Sequence, residues 1–462
     1  MSLVDLHDCS GSVKVVEGGD PASNGNHYVL PVDALAVQAG LLHQCCFTAL
    51  SPLAHDLSAL LGAVKCLDRS VRRKHGTGWQ RDLRIELPVY QLKEWRRPDV
   101  KESLTNALQY LTADRWQFDF VKRRKRPPPL GQFPLLRSPD QPRYFMPYSD
   151  GLDSFAQTEI LRANEPQVEM ILIRVKSGST EQTMRSIGRA SRSGLNAVPV
   201  LAKVKEPTHA EPTYRSRSFL FNALAGYAAA ISESEGVVVP ENGQGSFGGS
   251  FVRLGQEAPH RSCHPGATTL LGKFIKSLTG VQIRYRHPAL YKTKGQVLND
   301  LAGIRPDSAD WLRAHRSCSW DARNASRRQG LVHCGVCGNC LLRRMSLFGA
   351  GIPDVTDYKI ADLHAVSVGC GLAAGDGLRN QRAYEDPAHT SARGMQQLAD
   401  HALEPNSDRL RAEIAGLERL EERAAREVRA DLMGLLNQHC HEWSKFLAFC
   451  GGQSWVAQYA RG

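Results

Sequence analysis

Tyr144-Phe145-Met146-Pro147-Tyr148-Ser149-Asp150-Gly151-Leu152-Asp153-Ser154-Phe155 is the stretch on which the fold of this chain turns. Its apolar start over Tyr144 to Tyr148 suits a short strand, the polar residues 149–154 suit a tight turn, and a helix follows. A turn at the carboxyl end of a parallel strand points backbone N–H groups outward. The next helix N-terminus adds partial positive charge, so the place is made for a phosphate. Ser149 and Ser154 add hydroxyl donors, and Gly151 permits close backbone approach. Read alone, the same Ser and Asp residues are equally ordinary helix caps. No Gly-Lys-Ser/Thr follows, so this is not the nucleotide loop that serves γ-phosphate hydrolysis.

Outward from the turn, residues 142–350 repeat strand, turn and helix. Met170-Ile171-Leu172-Ile173-Arg174-Val175 is a continuous apolar strand, Glu181 to Ser191 reads as helix, and Val198-Pro199-Val200-Leu201-Ala202-Lys203-Val204 is the next strand. Pro199 lacks an N–H, which favours an edge or first-residue position. A helix over Ser218 to Ser232 and a strand at Gly236-Val237-Val238-Val239-Pro240 complete the pattern. The alternation predicts an α/β fold with a central parallel, doubly wound sheet over 141–354.

The flanks differ. Residues 1–28 are polar and Gly-rich and read as a flexible arm. Residues 29–140 read as an N-terminal α+β domain. Leu53, Leu57, Leu60, Leu61 and Val64 fall at helical spacing, Ile85, Leu87 and Val89 alternate, a helix spans about 100–111, and Trp116, Phe118 and Phe120 alternate again. Trp79, Trp95 and Trp116 suit either core or contact roles. The domain closes on Lys122-Arg123-Arg124-Lys125-Arg126 and Pro127-Pro128-Pro129, a charge run and stiff linker. Residues 355–462 read as a mainly helical extension, with a polar loop over 376–407. Leu410, Ile414, Leu417, Leu420, Ala424, Val428, Leu432 and Leu435 then line one face of an amphipathic helix over 408–436, a docking helix or homodimer contact.

At 462 residues the chain exceeds one domain, and 42% hydrophobic residues exclude disorder for most of it. Lys and Arg total 58 against 47 Asp and Glu, giving a charge of +11 that suits an anionic partner. The N-terminus lacks a basic, then apolar, export pattern, and no apolar run reaches the ~18 residues of a membrane span. The expectation is a cytoplasmic protein, where clustered cysteines suggest metal before disulfide.

Such a cluster is present. Cys334, Cys337 and Cys340 stand at C-x2-C-x2-C spacing and Cys318 lies sixteen positions before Cys334. Four thiolates satisfy a closed, structural Zn²⁺ site at about 2.3 Å each, and an iron–sulfur cluster is the rival. His315 and His333 compete for the fourth position; Cys318 completes an all-cysteine set. The other eight cysteines, Cys9, Cys45, Cys46, Cys66, Cys263, Cys370, Cys440 and Cys450, show no metal spacing and read as packing.

The turn at 149–154 resembles the Ser-Gly-Gly-x-Asp-Ser loop of the PP-loop pyrophosphatase superfamily (adenine nucleotide alpha hydrolase-like fold), whose members use ATP to adenylate a substrate. Asp150 departs from it, standing where the superfamily has Gly. With the cysteine knuckle over 318–340, the chain looks like QueC, the 7-cyano-7-deazaguanine synthase family. The match continues through Leu341-Leu342-Arg343 and Ala350-Gly351-Ile352-Pro353-Asp354. Tyr214-Arg215-Ser216-Arg217-Ser218-Phe219-Leu220 resembles its Arg-Asn segment and Tyr291-Lys292-Thr293-Lys294 its Lys-bearing turn. Size and domain layout resemble more closely the QueC-like components of bacterial anti-phage systems, the Qat and type IV CBASS groups.

The resemblance implies an ATP-dependent carbon–nitrogen ligase that adenylates 7-carboxy-7-deazaguanine. Ser149, Asp150, Gly151, Leu152, Asp153 and Ser154 would hold pyrophosphate and Mg²⁺, with Asp150 either facing solvent or sharing the ion. Asp153, Arg217 and Lys294 would be the catalytic groups, the two cations neutralising developing charge. The attacking amine is ammonia, giving amide and nitrile, or a protein amine of the same defence system, giving a base–protein conjugate. Glu241 and Asn242 either read a purine-like edge or form a polar turn. Two other readings stay open: a PP-loop tRNA-modifying enzyme using Lys122 to Arg126 on RNA phosphates, and a non-catalytic zinc module with a degenerate loop.

Overall fold

In the computed structural model the structure describes residues 10–74, 79–127, 141–176, 196–204, 207–253, 255, 257–320, 325–327, 330–377 and 380–462. The helix expected over Glu181 to Ser191, Pro128, Pro129 and Cys9 lie outside them. The chain forms two compact units: Met1–Ser149, Glu165–Val239 and Gln256–His287 make one, and Asp150–Asn164, Pro240–Gly255 and Pro288–Gly462 the other.

The first unit holds two sheets. One has five strands: β1 (Ser10–Val16), β2 (Ala22–Asn24), β3 (His27–Pro31), β5 (Asp82–Val89) and β6 (Arg115–Lys122), with β4 (Leu35–Gln38) set apart. Their order is β2-β3-β1-β5-β6, with every neighbouring pair parallel except β2 against β3. Where residues 1–28 were expected to form a loose arm, 10–16 is thus a central strand. Val13 and Val15 are buried beneath an otherwise polar segment, too short an alternation to register against the glycines around it. The expected strands at 82–89 and 115–122 are present, and Trp116, Phe118 and Phe120 fill one face. Helix Pro52–Ser70 starts on Ser51, whose hydroxyl accepts the Ala54 N–H at 3.2 Å.

The second sheet comprises β7 (Arg143–Pro147), β8 (Glu169–Lys176), β9 (Asn196–Val204), β10 (Gly236–Val238), β11 (Tyr285–Arg286) and the early strand β4. The order is β11-β10-β7-β8-β9-β4, parallel throughout except for β4. The parallel α/β core over the middle of the chain is therefore as its strand–helix alternation predicts. Pro199 is not on an edge strand, because β4 covers β9. It is tolerated because β4 pairs only Leu201 to Val204, leaving the segment around Pro199 unpaired on that side. Leu35 and Val37 of β4 are buried.

Below these sheets lies an ion cluster without measurable exposure of its side chains. Arg81 donates to Asp114 at 2.7 Å and Asp68 at 2.5 Å, and Arg73 to Asp114 at 2.5 Å. Asp68 also accepts the Ser216 N–H at 2.8 Å, so the cluster fixes the turn that leads into helix Arg217–Ile231. Trp79 lies between the guanidinium groups of Arg73 and Arg215, at 4.7 and 4.8 Å, while Trp95 and Trp116 are core.

The second unit is mainly helical. Residues 382–403, expected as loop, form a helix through a stripe of small residues, Ala388, Ala392 and Ala399, that low hydrophobicity and Pro387 conceal. The single helix expected over 408–436 is two, Asp408–Glu421 and Ala425–Cys450, broken at Glu422 in the left-handed region (φ 53°). Of the eight positions the periodicity marks, Leu410, Ile414, Leu417, Val428, Leu432 and Leu435 are buried, whereas Leu420 is half-buried and Ala424, where the second helix starts, is exposed. Among the described residues no helix is long and apolar enough to cross a membrane.

Candidate active site and metal centre

Strand β7 runs on through Tyr148, whose N–H donates to Ile173 O at 2.9 Å, and the chain turns at Ser149, which is exposed. Asp150 has φ 62°, the left-handed conformation open to glycine and, among L-residues, best to Asn and Asp. Asp at this position is therefore compatible with a backbone that glycine also adopts. Helix Leu152–Asn164 begins at once, with the Phe155 N–H on Gly151 O at 3.1 Å and the Ser154 hydroxyl donating to the same carbonyl at 3.0 Å. Leu152 is buried against Val297, Leu298 and Trp311, which anchors the helix start.

Asp153, on the first turn, is the hub of the polar site. Its Oδ2 takes the Lys294 ammonium at 2.5 Å and its Oδ1 takes Asn242 Nδ2 at 3.0 Å. Lys294 opens helix Lys294–Ile304, is 3% exposed, and is set by a capping box between Thr293 and Gln296. Asn242 caps helix Gly243–Phe251 through Gly245 N–H at 3.0 Å. Its amide also donates to Glu241 Oε1 at 2.9 Å, so one side chain joins two carboxylates. Burial, then the Asp153 charge, pushes the Glu241 carboxyl up to about 8, against the pull of Lys294.

The C-terminal extension reaches the same place, which its sequence pattern does not announce. Gln244 accepts the Lys294 N–H at 2.7 Å and donates to His439 Nδ1 at 2.8 Å; His439 Nε2 donates to Met395 O at 2.9 Å. The two bonds fix His439 as the neutral Nε2–H tautomer, and burial lowers its pKa to about 4. Glu442, on the same helix, accepts the Thr293 hydroxyl at 2.6 Å.

Arg217 belongs to the other unit, exposed on the first turn of its helix with its guanidinium 5.5 Å from the centre of the Phe221 ring. The run Lys122 to Arg126 is held to the protein: Lys122 Nζ donates to Tyr90 O at 2.7 Å, Arg123 lies 4.4 Å over the Tyr90 ring, and Glu17 accepts the Arg124 and Lys125 N–H groups.

The four predicted cysteines converge. The sulfurs of Cys318, Cys334, Cys337 and Cys340 lie within 4.8 Å of one another. Four sulfurs about 2.3 Å from one ion form a tetrahedron with edges of about 3.8 Å, so the spacing fits a metal. Backbone N–H groups already point at two of them, Cys334 N to Cys318 Sγ at 3.4 Å and Cys337 N to Cys334 Sγ at 3.3 Å. Hydrogen bonding from Cys318 and the other two thiols holds Cys337 far below the usual thiol range. Neither histidine competes: His333 Nε2 accepts the Ser317 N–H at 3.0 Å, and His315 Nδ1 donates to Asp150 O at 3.2 Å.

No family profile matches the chain. Over 30 residues, 6% of the chain, it is 60% identical to the 7-cyano-7-deazaguanine synthase of Porphyromonas gingivalis, of which this stretch spans only 14%. Over 187 residues, 39% of the chain, it is 29% identical to the 7-cyano-7-deazaguanine synthases of Brucella ovis and Brucella suis, spanning 69% of each. Among solved structures it has a likeness to the U34-tRNA thiolase NcsA from Methanococcus maripaludis with its [4Fe-4S] cluster, at 11% identity and a TM-score of 0.18, covering 59% of this chain and 95% of that one.

Proposed function

We propose that this chain is an ATP-using adenylating enzyme of the PP-loop type, acting on a deazaguanine-like carboxylic acid. The observation that carries the reading is the Asp153 constellation. A turn after a parallel strand opens a helix, and its first-turn carboxylate is held by a buried Lys294 and by Asn242. The similarity to 7-cyano-7-deazaguanine synthases supports the substrate class.

A carboxylate is a poor electrophile, and adenylation supplies a leaving group. The tasks left to the protein are positioning and neutralising charge. Ser149, Asp150, Gly151, Leu152 and Ser154 present backbone and hydroxyl groups to pyrophosphate, and Lys294 balances its charge. The Asp153 carboxylate is an oxygen donor on the partly exposed first turn and fits Mg²⁺, which when bound neutralises phosphate charge. Zn²⁺ is the metal proposed for the four cysteines, with a structural role.

The acyl acceptor is ammonia or a protein amine. The residues outside the matched 187 favour the latter, with the extra segments recognising that protein in anti-phage defence. The test is ATP–pyrophosphate exchange in the presence of 7-carboxy-7-deazaguanine. Exchange that depends on the acid and is abolished in Asp153→Ala and Ser149→Ala supports adenylation; ATP binding without exchange for any such acid rejects it. A mass increase on a co-encoded protein, dependent on ATP and the acid, identifies a protein acceptor, and nitrile formed from ammonia identifies the other.

A further inference from the structure

The four-cysteine site and the anion-binding turn are joined by three residues, and each of them is pinned. His315 Nδ1 donates to the carbonyl of Asp150 at 3.2 Å, and its ring stacks on Phe155 at 4.1 Å and 17°. Arg316 forms a parallel bridge with Gly151. Ser317 N–H donates to His333 Nε2, beside Cys334, and Cys318 follows immediately as a ligand of the cluster. Arg343, fully buried on the helix that carries Cys340, clamps the segment from behind. It donates to His315 O at 2.8 Å, Ser317 Oγ at 3.2 Å and Leu312 O at 2.8 Å.

The turn needs such support. Asp150 sits in the left-handed region, which Asp adopts more readily than other L-residues but less readily than Gly, and its carbonyl is the group that His315 holds.

From this we infer that metal at Cys318, Cys334, Cys337 and Cys340 sets the conformation of the 149–154 turn, with His315 the positioning residue that transmits it. When the ion draws Cys318 against the knuckle, residues 315–317 are stretched between two fixed points and His315 is presented to Asp150. Without the ion, Cys318 keeps the Cys334 N–H but loses its metal anchor, and that end of the segment is held only by the Ser317 bonds to His333 and Arg343. A cluster with no open position for substrate would then still govern anion binding.

Amide hydrogen exchange of the full-length, metal-loaded protein tests the link. Removing the metal with a chelator is expected to speed exchange in residues 150–156 about five- to tenfold, the effect of losing one hydrogen bond. Faster exchange around 334–345 with 150–156 unchanged overturns it. Two variants at full metal content guard against simple unfolding. His315→Phe keeps the ring stack but has no donor, and should show the same acceleration at 150–156. His315→Asn places an amide N–H near the Nδ1 position and should restore protection. Phe exchanging like the native protein overturns the proposal. The consequence for ligand affinity rests on the adenylation reading: His315→Phe should bind inorganic pyrophosphate about five- to tenfold more weakly, with Asn restoring it. A native protein that binds no pyrophosphate defeats that reading and leaves the exchange test standing.

Discussion

The ammonium of Lys294 sits 2.5 Å from one oxygen of Asp153, a residue 141 positions earlier in the chain, while Asn242 occupies the other oxygen. Lys294 is almost wholly buried, so no water can take its place without reorganising the helix start it opens. Lys294→Met is expected to lower acid-dependent ATP–pyrophosphate exchange by on the order of 10²–10³. Lys294→Arg should not restore it, because the guanidinium is larger than the slot and forks where the ammonium is compact. Steady-state exchange assays read both; an Arg variant with native activity contradicts the geometry.

Glu241 gives a pH signature. Its folded pKa of about 8 lies above the ordinary carboxylate value of ~4.3, so between these the folded chain keeps a proton that the unfolded chain has released. Its contribution to stability is therefore full below the ordinary value and is lost as pH rises towards 8. Glu241→Gln, permanently neutral, should gain in urea midpoint over the native protein from pH 5 to pH 8.5. Parallel midpoints across that range would contradict the raised value.

Position 150 tests the backbone. Asp150→Gly and Asp150→Asn are expected to fold as well as the native chain, since both suit φ 62°. Asp150→Val, branched at Cβ, should lose about 1–2 kcal/mol in denaturant melts. Unchanged Mg²⁺ dependence of exchange in Gly and Asn would remove any metal role for this carboxylate.

Purified without added metal, the protein is expected to carry one ion per chain and to be colourless, as Zn²⁺ is and an iron–sulfur cluster is not. Metal analysis and the visible spectrum decide between them. Cys340→Ser should lose the ion and lower the melting temperature, because binding energy at a structural site is folding energy.

In the buried ion cluster, burial opposes ionisation of Asp68, yet Arg81 and Arg73 outweigh it and hold the group below its usual range. Its stabilising effect is present above the ordinary carboxylate pKa and fades as pH falls through the lowered one. Arg81→Met leaves Asp68 and Asp114 with one guanidinium, that of Arg73, between them and should cost about 3–5 kcal/mol near neutral pH. The cost should shrink in acid, where Asp68 can protonate; a pH-independent loss would point to packing instead.

What the sequence discloses is what neighbouring residues enforce. The strand–turn–helix at 144–155, the C-x2-C-x2-C spacing and the Val/Ile strands are local patterns, and each is where its pattern says. Cys318 is legible because sulfur chemistry demands a fourth ligand. The partners of Asp153 are separated by long stretches of chain, and nothing near Lys294 betrays which carboxylate it meets. His315 looks like a spare ligand; only the fold turns it towards Asp150. Strand β1 and helix 382–403 are obscured for a plainer reason: two valines and a row of alanines bury too little apolar surface to stand out, and tertiary packing supplies the rest.

Strand β4 carries a consequence for synthesis. Leu35 pairs with Val204, so the strand leaves the ribosome some 170 residues before the one it must meet. At roughly 5–20 residues per second that is a wait of about 10–30 s. The five-stranded sheet, complete by Lys122, can form in that interval on either side of an unpaired β4. The early chain is thus obliged to fold around a vacancy, and β4 takes its place in the six-stranded sheet only when the end of β9 arrives.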